Sequence, residues 1–482
     1  MSQETVERPD AAREHPDPRR WQILGVTLTV GFMVLLDVTI VNVAIPSMQD
    51  GLQTGPGTIQ WVVSGYALAL GLMLVTGGRL GDAHGRRALM LIGLGGFIAS
   101  SAAAGLAPHV GVLIAARLVQ GFSAGLLTPQ GSGLIQTLFR GAERGLAFGL
   151  FGFTVSVSSA IGPVVGGLLI TAFGTENGWR WIFLVNVPIG LVLLVAIARL
   201  VPGRTADADP DTRLDLPGAA LLGAAVLALL VPVVSLERGQ RLPLLVLVLV
   251  PVLATAFVRW ERRVVRAGGA PLLDLGLLRR VPGYGTGIAV GALYFTGFTG
   301  VFLVLSVFLQ DGLELSALQA GLLLTPFAVG SAIASPVAGR VVPRVGRPLT
   351  VYALLVMMAG LVAVAVIVPL AAGGDRLWLV LAPALLVAGL GGGAVVSPNF
   401  TLALNNVPTR MGGAAGGALQ TGQRIGAAIG AALVMTAYQL VVSVSGDPGT
   451  GLRWALTTSL VLLTAALAAA LWSWRHDPPF SG

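Results

Sequence analysis

The sequence contains no cysteine, which excludes disulfide scaffolds, cysteine-based zinc sites and thiol catalysis. Charge is also scarce, since 11 % of the 482 residues are charged, against about 25 % in ordinary soluble domains. Lysine is absent, so all 30 basic residues are arginines. Hydrophobic residues make up 55 % of the chain, and the mean hydropathy is +0.83. Because the arginines stand between apolar runs, the net charge of +8 does not indicate a nucleic-acid partner, and the composition indicates an integral membrane protein.

Apolar runs long enough to cross a membrane recur along almost the whole chain. About 20 mostly apolar residues span a hydrocarbon core of about 30 Å as a helix. The sequence therefore predicts an all-α integral membrane fold of fourteen transmembrane helices, of which the seventh and eighth contain Pro232 and Pro251. The predicted spans are 22–46, 58–78, 88–107, 110–131, 145–172, 179–201, 216–235, 242–259, 283–309, 316–338, 349–371, 377–403, 412–441 and 452–474.

The arginines are distributed unevenly between alternate loops, and their largest cluster, 259–280, follows the eighth predicted span. Positive residues concentrate on the cytoplasmic side of membrane proteins. We therefore expect a multi-pass protein of the cell membrane with both termini cytoplasmic, since the number of predicted spans is even. The first 20 residues lack the apolar core of a signal peptide, so the first span is expected to serve as the insertion signal.

A short loop pattern occurs twice in the sequence. Residues 77–87 read GGRLGDAHGRR and residues 339–347 read GRVVPRVGR, with Pro343 in the place of Asp82. Repeated bundles of spans are typical of secondary transporters. The offset of eight spans predicts two six-helix, pseudo-symmetric bundles separated by two inserted helices. The predicted units are a cytoplasmic tail at 1–20, an N-terminal bundle at 21–201, inserted helices and linkers at 202–282, a C-terminal bundle at 283–474 and a cytoplasmic tail at 475–482.

One acidic residue, Asp37, lies well inside a predicted span, where a charge is expensive. Arg117 enters the fourth span from the same side and lies at a similar depth of ~10–13 Å. The arginine favours the charged carboxylate, whereas burial favours its protonation. Such a competition suits a proton-coupled carrier, so the pair is a candidate coupling site. A purely structural ion pair between the two spans is the alternative interpretation.

A second intramembrane arginine, Arg424, lies near the middle of the thirteenth span. It can meet an anionic group of a substrate, a backbone carbonyl or Asp37 in one conformation, and the sequence leaves these open. Around it, Gly422, Gly426 and Gly430 repeat at four-residue spacing. Small residues at that spacing let helices approach closely, so this stripe predicts helix packing.

Two further segments carry residues that suit a conformational change. After the second span, Gly85 suits a tight turn, and Asp82 and Arg86 are spaced to pair with each other or to meet helix ends. Alternatively, the arginines there only anchor the cytoplasmic side. In the fifth span, Pro163 removes a helix hydrogen bond, which predicts either a bend between conformations or an ordinary proline kink.

Five motifs in order resemble the major facilitator superfamily, and specifically its fourteen-span drug:proton antiporter branch. The resemblance covers nearly the whole chain beyond the N-terminal tail. The motifs are LDVTIVNVAIP (36–46) in the first span, GGRLGDAHGRR (77–87) after the second, RLVQGFSAG (117–125) in the fourth, SSAIGPVVGG (158–167) in the fifth and WRWIFLVNVPIG (179–190) in the sixth.

The resemblance implies roles for residues within these motifs. It implies that Asp37 and Arg117 form the proton-coupling region. It also implies a conformational gate at the cytoplasmic end of the second span and an antiporter hinge in the fifth span. The gate residues are then Gly78, Asp82, Gly85 and Arg86, and the hinge residues are Gly162, Pro163, Gly166 and Gly167.

Two departures from the family pattern bear on these expectations. Pro343 stands where the second loop motif is expected to carry an acid, which implies an asymmetric gate. The tenth span carries no acidic residue, unlike some relatives that transport several kinds of cation. This weakens the case for dicationic drugs and leaves neutral, monocationic or anionic lipophiles open.

We expect a proton-coupled exporter of hydrophobic small molecules, a monomeric transport unit in the lipid bilayer that uses the proton gradient and no cofactor or metal. The alternatives are a dedicated exporter of one metabolite, such as an antibiotic or a siderophore, and a nutrient symporter of the same fold. An enzyme is not expected, because the chain has no metalloprotease motif and no cysteine. The candidate residues of the substrate cavity are Trp61, Tyr66, Phe151, Tyr294, Phe298, Gln423 and Arg424.

Overall fold

The computed structural model describes residues 17–174, 176–203, 215–236, 242–371 and 377–477. Regular structure in these residues is helical, as a chain in lipid requires, because each helix satisfies its own backbone hydrogen bonds. The helices are α1 (Arg20–Gly51), α2 (Pro56–His84), α3 (Arg86–Gly105), α4 (Val110–Leu138), α5 (Gly141–Phe173), α6 (Gly178–Leu184), α7 (Asn186–Leu200), α8 (Leu216–Leu236), α9 (Leu249–Arg266), α10 (Leu277–Arg280), α11 (Tyr284–Val307), α12 (Ala317–Val345), α13 (Pro348–Ala371), α14 (Leu377–Leu404), α15 (Gly412–Ser445) and α16 (Pro448–His476).

Twelve helical segments of the described residues are long and apolar enough to cross a membrane, so the predicted count of fourteen is not supported. The difference lies in the predicted seventh and eighth spans. The helix α8, Leu216–Leu236, covers the predicted seventh span, and its described apolar stretch is Leu216–Pro232. The predicted eighth span begins as a 3-10 turn, Leu242–Val248, before α9, whose second half, 259–266, is rich in arginine. The helix in the place of the eighth span therefore begins seven residues later than predicted and ends in a charged segment.

The remaining helices form two bundles, each with its own hydrophobic core. In the first bundle, α1–α7, one cluster of buried side chains joins α1, α2, α3, α4 and α7. In the second bundle, α11–α16, a larger cluster joins all six helices. The predicted sixth span is α6 followed directly by α7. Of the predicted N-terminal tail, residues 1–16 lie outside the described residues, as do residues 478–482 of the C-terminal tail.

The two ends of the molecule differ in how the bundles meet. We call the end that carries Arg20, the Gly85 turn and His476 the base, and the opposite end, which carries the α1–α2 connection, the far end. Contacts between the bundles join α5 to α12 and α14, and α15 to α2 and α4. The contacts between α5 and α12 begin at the base and continue to about half the height of α5. There, the hydroxyls of Ser156 and Ser331 are 2.7 Å apart.

Glycines at the base let the bundles approach each other closely. A Cβ on Gly339 of α12 would lie 2.3 Å from the carbonyl oxygen of Gly145 of α5, and a Cβ on Gly145 would lie 2.3 Å from the carbonyl oxygen of Gly339. On the other side, a Cβ on Gly78 of α2 would lie 2.2 Å from the carbonyl oxygen of Gly413 of α15. Gly78 and Gly339 begin the two copies of the loop pattern, so both copies supply a glycine to the contact between bundles.

The inserted hairpin of α8 and α9 lies beside the line where α2 meets α15. Leu68 of α2, Val226 and Leu230 of α8 form one buried cluster, and Ile425 of α15 packs against it. The hairpin therefore contacts both bundles and does not form a separate body.

The predicted packing role of the glycine stripe on α15 agrees with the structure, which places it against α11. A Cβ on Gly426 would lie 2.1 Å from the carbonyl oxygen of Ala292, and a Cβ on Gly430 would lie 1.9 Å from that of Thr296. Both obstacles are backbone atoms, which a side chain rearrangement cannot remove.

We therefore expect Gly430→Ala to destabilise the protein by about 1–3 kcal/mol, the usual cost of overfilling a packed interface. The melting temperature of the purified protein in detergent measures this change. The matched control is Gly25→Ala on α1, where a Cβ would have nothing within 4 Å, and this variant should melt no lower than the parent. Equal melting of the two variants would contradict the packing role.

Candidate functional site

Asp37 lies in the middle of α1 and is 1 % exposed. Its carboxylate accepts three hydrogen bonds from side chains of other helices. Arg117 Nη1 donates to Oδ2 at 2.5 Å, and Gln120 Nε2 and Asn186 Nδ2 donate to Oδ1 at 2.9 Å and 3.0 Å. A carboxylate without water is stable only when donors surround it in this way. The arrangement therefore stabilises the ionised form of Asp37 for as long as α4 and α7 stay in place.

Arg117 is equally buried, at 1 % exposed, and its donors are also satisfied. Its Nε donates to the carbonyl oxygen of Val62 at 3.0 Å, and its Nη1 donates to Gln120 Oε1 at 2.8 Å. The rings of Tyr66 and Phe183 lie 4.1 Å and 5.6 Å from the guanidinium carbon. The ion pair thus connects α1, α2, α4 and α6, so loss of its charge would affect most of the first bundle.

Sequence reasoning identified the ion pair but missed the two amides that complete it. Gln120 follows Arg117 by one helical turn, and Asn186 lies in the motif 179–190, so both stood in segments already singled out. An amide in a membrane helix gives a weaker signal than a charge, because its burial costs less.

At the base, Asp82 of α2 binds the start of α15 in the other bundle. Its Oδ1 accepts from the backbone N–H of Gly413 at 3.0 Å, and its Oδ2 accepts from that of Ala414 at 2.8 Å. The first N–H groups of a helix have no partner within the helix and carry partial positive charge. The side chain of Asp82 is 1 % exposed, so this contact between bundles is a buried, charge-assisted one.

Arg86 fastens the same contact from the other side of the Gly85 turn. Its Nη2 donates to Asp82 Oδ1 at 3.0 Å and to the carbonyl oxygen of Thr409 at 3.1 Å, and its Nη1 donates to Thr137 Oγ1 of α4. Gly85 separates α2 from α3 with φ of 94°, a conformation that favours glycine. We call Gly78, Asp82 and Arg86, with Gly413 and Ala414, the base gate after its predicted role, and the two bundles are in contact there in this structure.

The second copy of the loop pattern is built differently, because Pro343 has no acidic side chain. Arg347, the counterpart of Arg86, pairs with Asp477 just after α16, and Nη1 lies 3.3 Å from Oδ2. Asp477 also accepts from Thr286 and Ser473, each at 2.7 Å. This cluster lies within the second bundle rather than between bundles, so the two copies have unequal roles. Asp477 belongs to the predicted C-terminal tail, 475–482, so these contacts hold the start of that tail against the second bundle.

The predicted hinge residues lie in a continuous α5, where Pro163 does not break the helix. A Cβ on Gly162 would lie 2.0 Å from Thr39 Oγ1, and one on Gly166 would lie 3.1 Å from Ile40, so both glycines face α1 closely. At Gly167, a Cβ would have nothing within 4 Å, so this glycine makes no close contact of the same kind. The close contact at this place is therefore made by two glycines, one helical turn apart.

The predicted cavity residues are not brought together. Tyr66 and Tyr294 are 1 % and 2 % exposed, and their hydroxyls donate to the carbonyl oxygens of Val34 and Gly392. Phe298 stacks on Tyr294 within the second bundle, with ring centroids 5.3 Å apart. These three side chains serve packing, as aromatic residues at helical spacing often do.

The other predicted cavity residues lie in three places. Phe151 lies near the base and packs against Phe400 of the other bundle, with ring centroids 5.5 Å apart. Trp61 is 40 % exposed in the outer part of α2. Gln423 and Arg424 lie side by side on α15, and Arg424 interacts electrostatically with Tyr66 of the first bundle. Among the described residues, Arg424 has no hydrogen bond or ion pair.

Two helical bundles that meet at one end, with an ion pair buried in the membrane-spanning part, are the architecture expected of a secondary transporter. The comparison with known families agrees, since the family model of the Major Facilitator Superfamily matches residues 27–431. The chain belongs to the Major Facilitator Superfamily. It is therefore a multi-pass membrane transporter and not an enzyme.

Several relatives and solved structures are similar to this chain. A probable actinorhodin transporter of Streptomyces coelicolor is 38 % identical over 437 residues, which cover 89 % of this chain and 75 % of that protein. A puromycin resistance protein of Streptomyces alboniger is 39 % identical over 434 residues, 88 % of this chain and 83 % of that one. The crystal structure of the human organic anion transporter MFSD10 has a TM-score of 0.67 at 18 % identity, covering 94 % of this chain and 100 % of that one, and shows the shared fold.

The base gate leads to a prediction for Asp82→Asn. The asparagine keeps one acceptor and turns its amide N–H toward a second helix N–H, so the base should open. Loss of a hydrogen bond to a charged group costs about 1.5–3 kcal/mol, which shifts the closed-to-open ratio about tenfold or more.

Because the chain lacks cysteine, spin labels at His84→Cys and Asn406→Cys, both exposed at the base on opposite bundles, report this ratio as a distance distribution. The control is Asp274→Asn, a carboxylate near the base that pairs within its own segment with Arg280. If the Asp82→Asn distribution coincides with that of the control, the carboxylate does not hold the gate.

Proposed function

We propose that this chain exports hydrophobic small molecules, antibiotics among them, in exchange for protons, as a member of the drug:proton antiporter branch. The observation that carries the proposal is the Asp37 carboxylate, buried among three donors in a bundle whose base gate is closed. The printed names of the similar proteins support the cargo, since one is a probable actinorhodin transporter and another a puromycin resistance protein.

The proposed mechanism is alternating access between two states of the bundles. With the base closed, a proton reaches Asp37 from the far end. Protonation removes the negative charge and turns one carboxylate oxygen into a donor, so the hydrogen bonds from Arg117, Gln120 and Asn186 weaken and α1, α4 and α7 can shift. A ligand moves such an equilibrium only through different affinities for the two states. The proton and the cargo therefore act by favouring different positions of the same helices.

The proposed orientation places the base on the cytoplasmic side of the cell membrane. The arginine-rich part of α9, the base gate arginine Arg86 and both described ends of the chain lie at the base. Positive residues on the cytoplasmic side agree with this placement. Inward proton flow then provides the driving force, to which each charge moved across 100 mV adds about 2.3 kcal/mol.

The coupling role leads to a prediction for Asp37→Asn. The asparagine still accepts one hydrogen bond but cannot bind and release a proton. Efflux driven by a pH gradient in inverted vesicles, with puromycin as the first probe, should fall at least about tenfold, while exchange of labelled for unlabelled substrate without a gradient should persist.

The matched control is Asp50→Asn, an exposed carboxylate at the end of the same helix, which should transport normally. Retention of pH-driven efflux by Asp37→Asn would remove the coupling role. A nutrient symporter, the alternative of the same fold, would instead move substrate and protons in the same direction, which simultaneous measurement of vesicle pH detects. A susceptibility profile limited to one compound class would indicate a dedicated exporter.

Arg424 supports a narrower view of the cargo. It lies on α15 beyond the base gate, with no hydrogen bond or ion pair in the described residues, and Gln420 stands one helical turn before it. The Nε2 of Gln420 is likewise without a partner in the described residues. A group of unpaired donors suits an acceptor-rich cargo, such as a lipophilic carboxylate, phenolate or quinone.

We expect Arg424→Gln to raise the apparent KM for a lipophilic carboxylate dye about 10–100-fold, the value of one hydrogen bond from a charged group. The KM for a cationic dye of similar size should not rise. Arg453→Gln, an exposed arginine on α16, is the control for loss of one positive charge. Equal changes in KM for both dyes would show that Arg424 has a structural role.

A further inference from the structure

Two carboxyl groups lie together at the base end of the inserted hairpin, away from Asp37. Glu261 of α9 is 1 % exposed, and neither of its carboxylate oxygens has a hydrogen-bond partner in the described residues. Oδ2 of Asp215, which stands directly before α8, is also buried without a partner. A buried carboxylate without donors is unstable as an ion. These oxygens therefore need a ligand that the described residues do not supply.

Unpartnered oxygens of both carboxyl groups lie beside the same glycine, Gly218. A Cβ on Gly218 would lie 2.3 Å from Asp215 Oδ2 and 2.9 Å from Glu261 Oε1, so both oxygens flank one glycine. The other oxygen of Asp215 is fixed, because Oδ1 accepts from the backbone N–H of Gly218 at 2.9 Å and from Trp260 Nε1 at 2.8 Å. A protonated carboxyl group donates one hydrogen bond, so a single proton would satisfy Glu261 and Asp215 at once.

The charged groups around the pair do not replace this proton. From α2, the cation that acts on Glu261 is Arg79, and from the segment after α9, the backbone N–H groups of Leu272 and Leu273 point toward its carboxylate without reaching hydrogen-bond geometry. From α15 the facing residue of the neighbouring cluster is Ala418, which is apolar. The arginine side chains of α9 itself are exposed and so do not pair with the buried carboxylates. They are Arg259, Arg262, Arg263 and Arg266.

We propose that Asp215 and Glu261 share one proton, and that this proton site is a sensor of pH at the base that favours the closed gate. The site is separate from Asp37 and lies on helices that the two-bundle mechanism does not use. The proposal rests on alternating access in the proposed function, but it does not rest on proton coupling at Asp37.

The acid strength of Glu261 agrees with this assignment. Burial, followed by the neighbouring charge of Asp215, raises the pKa of Glu261 to about 7, and Arg79 and the two backbone N–H groups oppose this change. A solvated glutamate has a pKa of about 4.3. The group therefore changes its charge in the pH range of a living cell only while it stays buried.

Burial of Glu261 depends on the gate. Phe257 lies one helical turn before Glu261 on α9, and it belongs to a cluster with Val75 of α2, Ala418 of α15, and Leu272 and Leu273. Because α2 and α15 belong to different bundles, opening of the base separates this cluster. Water then reaches Glu261, its pKa falls toward the solvated value and the proton leaves.

The direction of the pH effect follows from this difference. The closed state has the higher pKa and so binds the proton more tightly, which means that protonation stabilises the closed state. The stabilisation is complete below about pH 4 and is lost as the pH rises through about 7. Between about pH 8 and about pH 6, one such group changes the closed-to-open ratio about tenfold. Acidification at the base would thus slow an exporter that brings in protons.

The test measures the closed-to-open ratio directly, with the spin labels at His84→Cys and Asn406→Cys and without substrate or a pH gradient. The background is Asp37→Asn, which removes titration of the coupling site and separates failure of this proposal from failure of proton coupling. We expect the ratio to rise about tenfold from pH 8 to pH 6 and to rise further toward pH 4, with the midpoint of Glu261 titration in the closed state near 7. The variant Glu261→Gln should change less than twofold and stay on the closed side, because its amide donates to Asp215 as the protonated acid does.

A second variant distinguishes a shared proton from a merely structural contact. Asp215→Asn removes the neighbouring charge and places an amide donor beside Glu261, so the midpoint should move to lower pH while titration persists. Glu143→Gln, a base carboxylate that pairs with Arg20 on the first bundle, is the control and should keep the parent midpoint. An unchanged pH response in Glu261→Gln, or a midpoint that does not move in Asp215→Asn, would overturn the proposal.

Discussion

The structure depends on how a charge is satisfied where water is absent. Asp37 and Asp82 show two solutions with different consequences. The donors to Asp37 come from its own bundle, so its charge stabilises the internal arrangement of α1, α4 and α7. The donors to Asp82 come from the start of α15 in the other bundle, so its charge stabilises the closed base. Any change in the first arrangement that moves α2 or α4 also affects the second, because Arg117 binds the backbone of α2.

Close approach of backbones explains why the base can act as a single unit. Gly78 meets Gly413 and Gly145 meets Gly339 at distances that exclude even one additional methyl group. Tightly packed interfaces do not deform gradually, so such a contact is either formed or broken. Charges that act on a few residues of the gate can therefore move the entire base.

The sequence allowed prediction of the features that carry a high energetic cost. The pairing of Asp37 with Arg117 followed from their equal depth, and the family from five ordered motifs. Apolar composition did not reveal that the α8–α9 region would contain a 3-10 turn and that α9 would begin only at Leu249, because hydropathy does not distinguish a 3-10 turn from an α-helix. Aromatic identity did not reveal which way a side chain points, and Tyr66 and Tyr294, predicted to line a cavity, are buried within their bundles in this structure. Asp215 and Glu261 were missed because each stands in a polar segment, and only the hairpin brings them together.

The absence of lysine has a consequence for any response to acidity. A buried lysine can lose its proton near neutrality, whereas a guanidinium keeps its charge throughout the physiological range. All basic side chains of this chain other than four histidines are arginines, so their positive charge does not change with pH in the physiological range. Within the membrane-spanning helices, the carboxyl groups are therefore the side chains that change charge near neutral pH. A pH dependence of the conformational equilibrium can then be assigned to a small number of acidic residues.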